Sequence, residues 1–131
     1  MIAFDTNLLV RIMVEDDPMQ AARVRSLLEK SAEQDESIFV SDIVLCELEW
    51  VLESAYGVPR RRICAAIGAL LADSLFCFED SGRVAEALNL YQLGKADLSD
   101  HLLGLTAEAA GTRTTYTFDR ALGRDSRFTP A

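Results

Sequence analysis

The chain has one histidine, and that scarcity narrows its chemistry. A single imidazole cannot build a histidine-rich zinc site, and a Ser-His-Asp triad would have to use His101. Placed beside Asp100, His101 reads as a surface or helix residue rather than a ligand. Cysteines are few and odd in number: Cys46, Cys64 and Cys77. No CxxC spacing occurs and each lies in apolar context, so a disulfide framework is unsupported and reduced core thiols are expected. Positive charge is scarce, with 13 Lys and Arg against 21 Asp and Glu and a net charge of −8. That argues against a large non-specific nucleic-acid surface. It leaves a nucleic-acid substrate open, because bound cations cancel local negative charge at a metal site. No apolar run reaches the ~18 residues needed to cross a membrane. No basic segment with a cleavage site opens the sequence, so a cytoplasmic protein with no membrane partner is expected. No repeat, low-complexity tract or linker interrupts the 131 residues, and residues 1–131 read as one domain.

What is present is globular in character: half of the residues are hydrophobic and 26% are charged. A chain of this length buries roughly two thirds of its unfolded surface, enough for a real core. Ile2 to Asp5 reads as a short buried strand, with Thr6 or Asn7 capping a helix over Leu8–Val14. Asp17 and Pro18 open a second helix, and a polar loop covers Glu33 to Ser37. A second strand spans Ile38–Val40, and Ser41 caps the helix after it. Gly57-Val58-Pro59 breaks that helix, and another runs from Arg60 to Leu71. Leu75–Phe78 is a third strand, followed by a helix after Asp80 or Ser81 and one more closed by Gly111. Thr114–Phe118 is β-branched and aromatic, a fourth strand, and the residues after Arg120 look irregular. Strands separated by helices predict an α/β fold, a three-layer α/β/α sandwich around a central parallel sheet of four to five strands. Ligands in such sheets bind beyond the carboxyl ends of the strands, where Asp5 and Asp119 both fall.

Those two acids belong to a wider set. Glu47 sits in an apolar stretch, in helical register with Val44 and Val51, where an unpaired carboxylate is costly. A salt bridge to an arginine is the simpler explanation for it. Glu49 reads as a solvated surface charge. Asp97 and Asp100, three apart, open a helix with both carboxylates facing one way, and acids are also favoured there by the helix dipole. Asp5 and Asp119 have an equally ordinary reading as helix caps or turn residues. Jointly the acids are harder to dismiss. Carboxylates from distant segments that converge repel one another unless a cation lies between them, and hard oxygen ligands suit Mg²⁺ or Mn²⁺. Such ions activate water and stabilise charge on a phosphate, and one carboxylate can serve as general base. Thr6, Asn7, Ser41 and Thr117 are candidates to position water or phosphate, although capping and strand propensity explain them more simply.

The segments Met1-Ile2-Ala3-Phe4-Asp5-Thr6-Asn7, Ser41 to Leu48, Ala96 to Leu103 and Thr115 to Arg120 resemble the PIN domain, and more narrowly the VapC-type toxins of bacterial toxin–antitoxin pairs. The resemblance covers nearly the whole chain in order. It implies a PIN-like α/β/α fold and a Mg²⁺- or Mn²⁺-dependent endoribonuclease, a hydrolase that is the toxin of its pair. The family's acidic quartet maps onto Asp5, Glu47, Asp100 and Asp119 as catalytic and metal-binding residues. Asp97 matches an additional acid counted with the metal site, and Asn7 and Thr117 match accessory positions. The implied partners are an RNA substrate, a cognate antitoxin protein and a second copy in a homodimer.

Arg60-Arg61-Arg62 after Pro59 is either a solvated helix start or a clamp for RNA phosphates, and Arg120 is the best placed of the other arginines, which include Arg11, Arg113 and Arg124. The apolar residues of the helices after Asp17 and Pro59 exceed what one small core is expected to bury, which suggests a dimer face or an antitoxin groove. Two rival readings stand. One is another Mg²⁺-dependent phosphohydrolase, such as a phosphatase with an aspartyl nucleophile; that class usually carries Asp-x-Asp after the first strand, and here Asn7 holds the second place. The other is a non-catalytic PIN-like binding module whose acids grip a partner's arginines.

Overall fold

A computed structural model describes residues 1–131. The chain divides into two compact units, Met1–Ser81 and Gly82–Ala131. In the first, strands β1 (Ile2–Ala3), β2 (Ile38–Val40) and β3 (Phe76–Phe78) alternate with helices α1 (Thr6–Met13), α2 (Pro18–Glu33), α3 (Asp42–Ser54) and α4 (Arg60–Ala72). The strands pair in parallel in the order β1-β2-β3, with Ile2 opposite Ile38 and Ile38 opposite Phe76. Parallel neighbours require crossovers, and helix pairs supply them. Helix α1 packs on α2 and α3, and α3 on α4. The core draws on Leu9, Val10, Ile38, Val40, Leu45, Leu48, Leu52, Ile63 and Ile67, all buried. Phe4 meets Phe76 edge to face, ring centres 6.4 Å apart.

The second unit holds most of α5 (Ser81–Leu93), then α6 (Leu98–Ala109), β4 (Thr115–Thr117), a short 3-10 helix over Arg120–Leu122, and β5 (Phe128–Pro130). Strands β4 and β5 pair in parallel, Thr115 opposite Phe128. The hydroxyls of Thr114 and Thr129 lie 2.7 Å apart beside that ladder. Ala96, Leu122 and Phe128 form a small buried cluster.

The element order matches the sequence reading through β4. The residues after Arg120 do not: they form a 3-10 turn and a fifth strand rather than an irregular tail. The strand is only three residues long and contains Pro130, which hides it from a pattern search. The five strands also form a three-stranded ladder and a two-stranded ladder rather than one continuous hydrogen-bonded sheet. Helix α2 runs through Glu33, so the polar loop is shorter than its composition suggests. Gly57 ends the α3 segment with φ +60°, a conformation that costs glycine little, while its N–H reaches the Glu53 carbonyl at 3.1 Å.

Candidate metal centre and its surroundings

Asp5 lies two residues past β1, at the strand's carboxyl end. Of the three cap candidates Asp5, Thr6 and Asn7 it is the one that caps α1: its Oδ1 accepts the Thr6 N–H at 2.7 Å. Thr6, 4% exposed, then sends its hydroxyl to Glu47 Oε2 at 2.7 Å. That bond ties the start of α1 to the middle of α3 and brings Asp5 and Glu47 to one locality.

The setting of Glu47 differs from the expectation. It is exposed, on a face shared with Ile43 and Trp50, which are 71% and 64% exposed. The buried face of α3 is Leu45, Leu48, Glu49 and Leu52, spaced i, i+3, i+4, i+7. Glu49, expected as a solvated charge, is therefore the buried acid, at 3% exposure. Val44 and Val51, the residues in register with Glu47, are only half-buried, and the spacing of the leucines is the signal that distinguishes the two glutamates.

In the second unit, Asp97 is exposed and stands as the N-cap of α6 rather than in its first turn. Asp100, at the third helical position, accepts the Asp97 N–H through Oδ2 at 3.0 Å, as in a capping box. Asp119, exposed, caps the 3-10 helix: its Oδ1 accepts the Ala121 N–H at 2.9 Å. The Asp119 N–H in turn donates to Thr117 Oγ1 at 2.9 Å. Ser41 caps α3 as expected, its Oγ accepting the Val44 N–H at 3.2 Å. Asn7 is exposed and lines a cavity of about 330 Å³ with Leu8, Arg11, Arg23, Val24 and Leu27.

One regularity runs through the quartet. Asp5, Glu47, Asp100 and Asp119 each use one carboxylate oxygen in a hydrogen bond and keep the other without one. None of them forms a salt bridge, so the ordinary explanation of Glu47 as half of an arginine pair does not hold. Anchored carboxylates with a spare oxygen and no cationic partner are the donor chemistry a hard divalent ion takes.

The arginines divide. Arg11 donates to Gln20 at 2.6 Å, to Asp16 at 3.1 Å and to the Tyr56 hydroxyl at 3.4 Å; Tyr56 most, then Asp16 and Asp17, raise its pKa. It is a structural tie between α1 and its neighbours. Arg60, Arg61 and Arg62 begin α4; Arg61 and Arg62 are exposed, and Arg62 borders a separate hollow with Met13 and Leu52. Arg120 is exposed directly after Asp119. His101 is helical but buried, at 7% exposure, rather than superficial.

Parallel strands bridged by helix pairs, with Asp5 past the carboxyl end of β1 in the first unit and Asp119 past that of β4 in the second, define an α/β protein. The sequence profile of the PIN domain matches residues 2–125. The chain belongs to the PIN-domain family. A VapC ribonuclease of Aquifex aeolicus (strain VF5) is 26% identical over 116 residues, which span 88% of this chain and 85% of that protein. No helix is long and apolar enough to cross a membrane.

Proposed function

We propose that this protein is a divalent-metal-dependent endoribonuclease of VapC type, the toxin of a toxin–antitoxin pair. The observation that carries the reading is the Asp5–Thr6–Glu47 connection, in which Thr6 donates its backbone N–H to Asp5 and its buried hydroxyl to Glu47, each at 2.7 Å. Hydrogen bonds of this kind are what orient the carboxylate ligands of a metal. Asp5, Glu47, Asp100 and Asp119 are the proposed Mg²⁺ or Mn²⁺ ligands, with Asp97 assisting. When bound, the ion supplies Lewis-acid chemistry for hydrolysis of a phosphodiester. The protein's own contribution is orientation: backbone N–H groups and the Thr6 hydroxyl hold one oxygen of each acid and aim the other. A carboxylate not saturated by metal takes the proton from the attacking water. Asn7, Ser41 and Thr117 remain candidates to position water or phosphate, and Arg60, Arg61, Arg62 and Arg120 to contact the RNA backbone.

The reading carries three further expectations: residues 1–131 act as one PIN-like domain, since the family match runs across both units; the protein forms a homodimer in the cytoplasm; and a cognate antitoxin covers apolar surface of the first unit. The exposed Met19 and Leu27 of α2 suit that last role. The experiment is direct. Purified protein is incubated with single-stranded RNA and Mn²⁺ or Mg²⁺, and ion binding is measured by calorimetry. Cleavage that chelator abolishes and Asp5→Asn removes is the expected result. Uncut RNA together with no divalent-ion binding overturns the proposal.

A further inference from the structure

A cavity of about 380 Å³ lies wholly within the second unit, and its wall is basic. Lys95, His101, Arg124, Ser126 and Arg127 line it, with Leu122 among its apolar residues. A chain of net charge −8 has thus placed three of its cations and its one histidine on a single concave surface. The carboxylate on that wall, Asp125, is engaged by Arg127, through its backbone N–H at 2.9 Å and its guanidinium at 3.4 Å. Arg127 also binds Glu86 at 3.1 Å and Glu108 at 3.5 Å, so it is part of the scaffold. Arg124 is exposed and forms no ion pair. The cavity also shares its supports with two of the unpaired acids. His101 follows Asp100 on α6, and Ala121 and Leu122 belong to the 3-10 turn that Asp119 caps.

We propose that this cavity binds a phosphate group of the RNA strand, with Arg124 and Lys95 as its charged contacts and Ser126 as a hydroxyl donor. A guanidinium presents paired donors to phosphate oxygens, and an ammonium adds a point charge. The volume is of the size that takes a nucleotide rather than a bare ion. Phosphate recognition stands on the lining alone; that the phosphate belongs to RNA rests on the nuclease reading. A free phosphate compound offers the same chemistry, and the test separates the two sources.

Binding of a short labelled single-stranded RNA is measured in the Asp5→Asn background, where the strand stays intact, across a salt series. Lys95→Gln, Arg124→Gln and the double variant are compared, with Arg124→Lys as the charge-keeping control and circular dichroism to verify folding. Inorganic pyrophosphate is titrated separately into each. The expected result is several-fold weaker RNA binding for each single variant. The salt slope should fall by about 0.7 per lost contact, and pyrophosphate should compete with RNA. Pyrophosphate binding that depends on Lys95 and Arg124 while RNA binding does not would keep the phosphate site and assign it to a free ligand. RNA and pyrophosphate affinities both unchanged in the folded double variant overturn the proposal. Wild-type protein that leaves RNA uncut with Mn²⁺ but binds pyrophosphate through these residues removes the nuclease reading and leaves the cavity assignment standing.

Discussion

Replacing Thr6 with valine keeps the branched shape of a buried side chain and deletes the hydroxyl that holds Glu47 at 2.7 Å. A hydrogen bond to a charged group contributes about 1.5–3 kcal/mol when its loss strands the acceptor. Here the acceptor is exposed and water replaces the donor, so the stability cost falls to about 1 kcal/mol. For a chain of this size that is a fall in Tm of roughly 3–5 °C. The functional cost is larger, because a carboxylate freed to sample other rotamers spends little time in the productive one. A displacement of about 1 Å at a reacting centre costs on the order of 10²-fold in rate. The assay pairs thermal unfolding with RNA cleavage at saturating Mn²⁺, and adds Mn²⁺ affinity by calorimetry. Thr6→Ser, which restores the donor, should recover most of the activity. Thr6→Val protein that cleaves at the wild-type rate with unchanged Mn²⁺ affinity would refute the orienting role of the hydroxyl.

Glu47→Gln should separate the two effects further: the amide oxygen still accepts from Thr6, so stability stays within about 0.5 kcal/mol, while cleavage drops on the order of 10²-fold or more; equal losses in unfolding and cleavage assays would contradict it. Gly104→Ala in α6 would place a methyl 2.8 Å from the buried Phe128 ring. Overpacking of about 1–3 kcal/mol outweighs a helix-propensity gain of about 1 kcal/mol, so urea unfolding should shift to lower midpoint. Burial pushes the Cys64 thiol up, while nearby Arg60 opposes this in part. Less thiolate is present at any pH below that raised value, so native Cys64 should alkylate more slowly than Cys46 or Cys77 in peptide-level mass spectrometry; equal rates would contradict its burial. Arg127→Met removes the partner shared by Glu86, Glu108 and Asp125. Because two of those acids are largely exposed, the loss is moderate, about 1–2 kcal/mol after solvent screening, read by urea unfolding.

The alternation of strands and helices was legible because periodicity and capping residues agree along most of the chain: Asp17 and Ser41 cap the helices they were expected to cap. The C-terminal strand was not, because three residues that include a proline carry too little pattern. Asp5 and Asp119 were readable as strand-end acids from topology, and both proved to be caps as well. The two readings had seemed competitors, yet one carboxylate has two oxygens and serves both. Glu47 and Glu49 exchange burial because α3 carries apolar residues on two stripes: Val44 and Val51, in register with Glu47, are only half-buried, while the leucines in register with Glu49 face the core. The basic cavity was invisible, since Lys95, His101 and Arg124 share no motif and only the fold of the second unit assembles them.

The half-engaged carboxylates have an energetic consequence. A side chain pinned at one oxygen has already lost most of its rotational freedom when the chain folds, and folding is then when that entropy is spent. An arriving ion orders little, and what it gains from each ligand goes into affinity. Ion binding at the proposed site should therefore raise the temperature of unfolding, by an amount that grows with ion concentration.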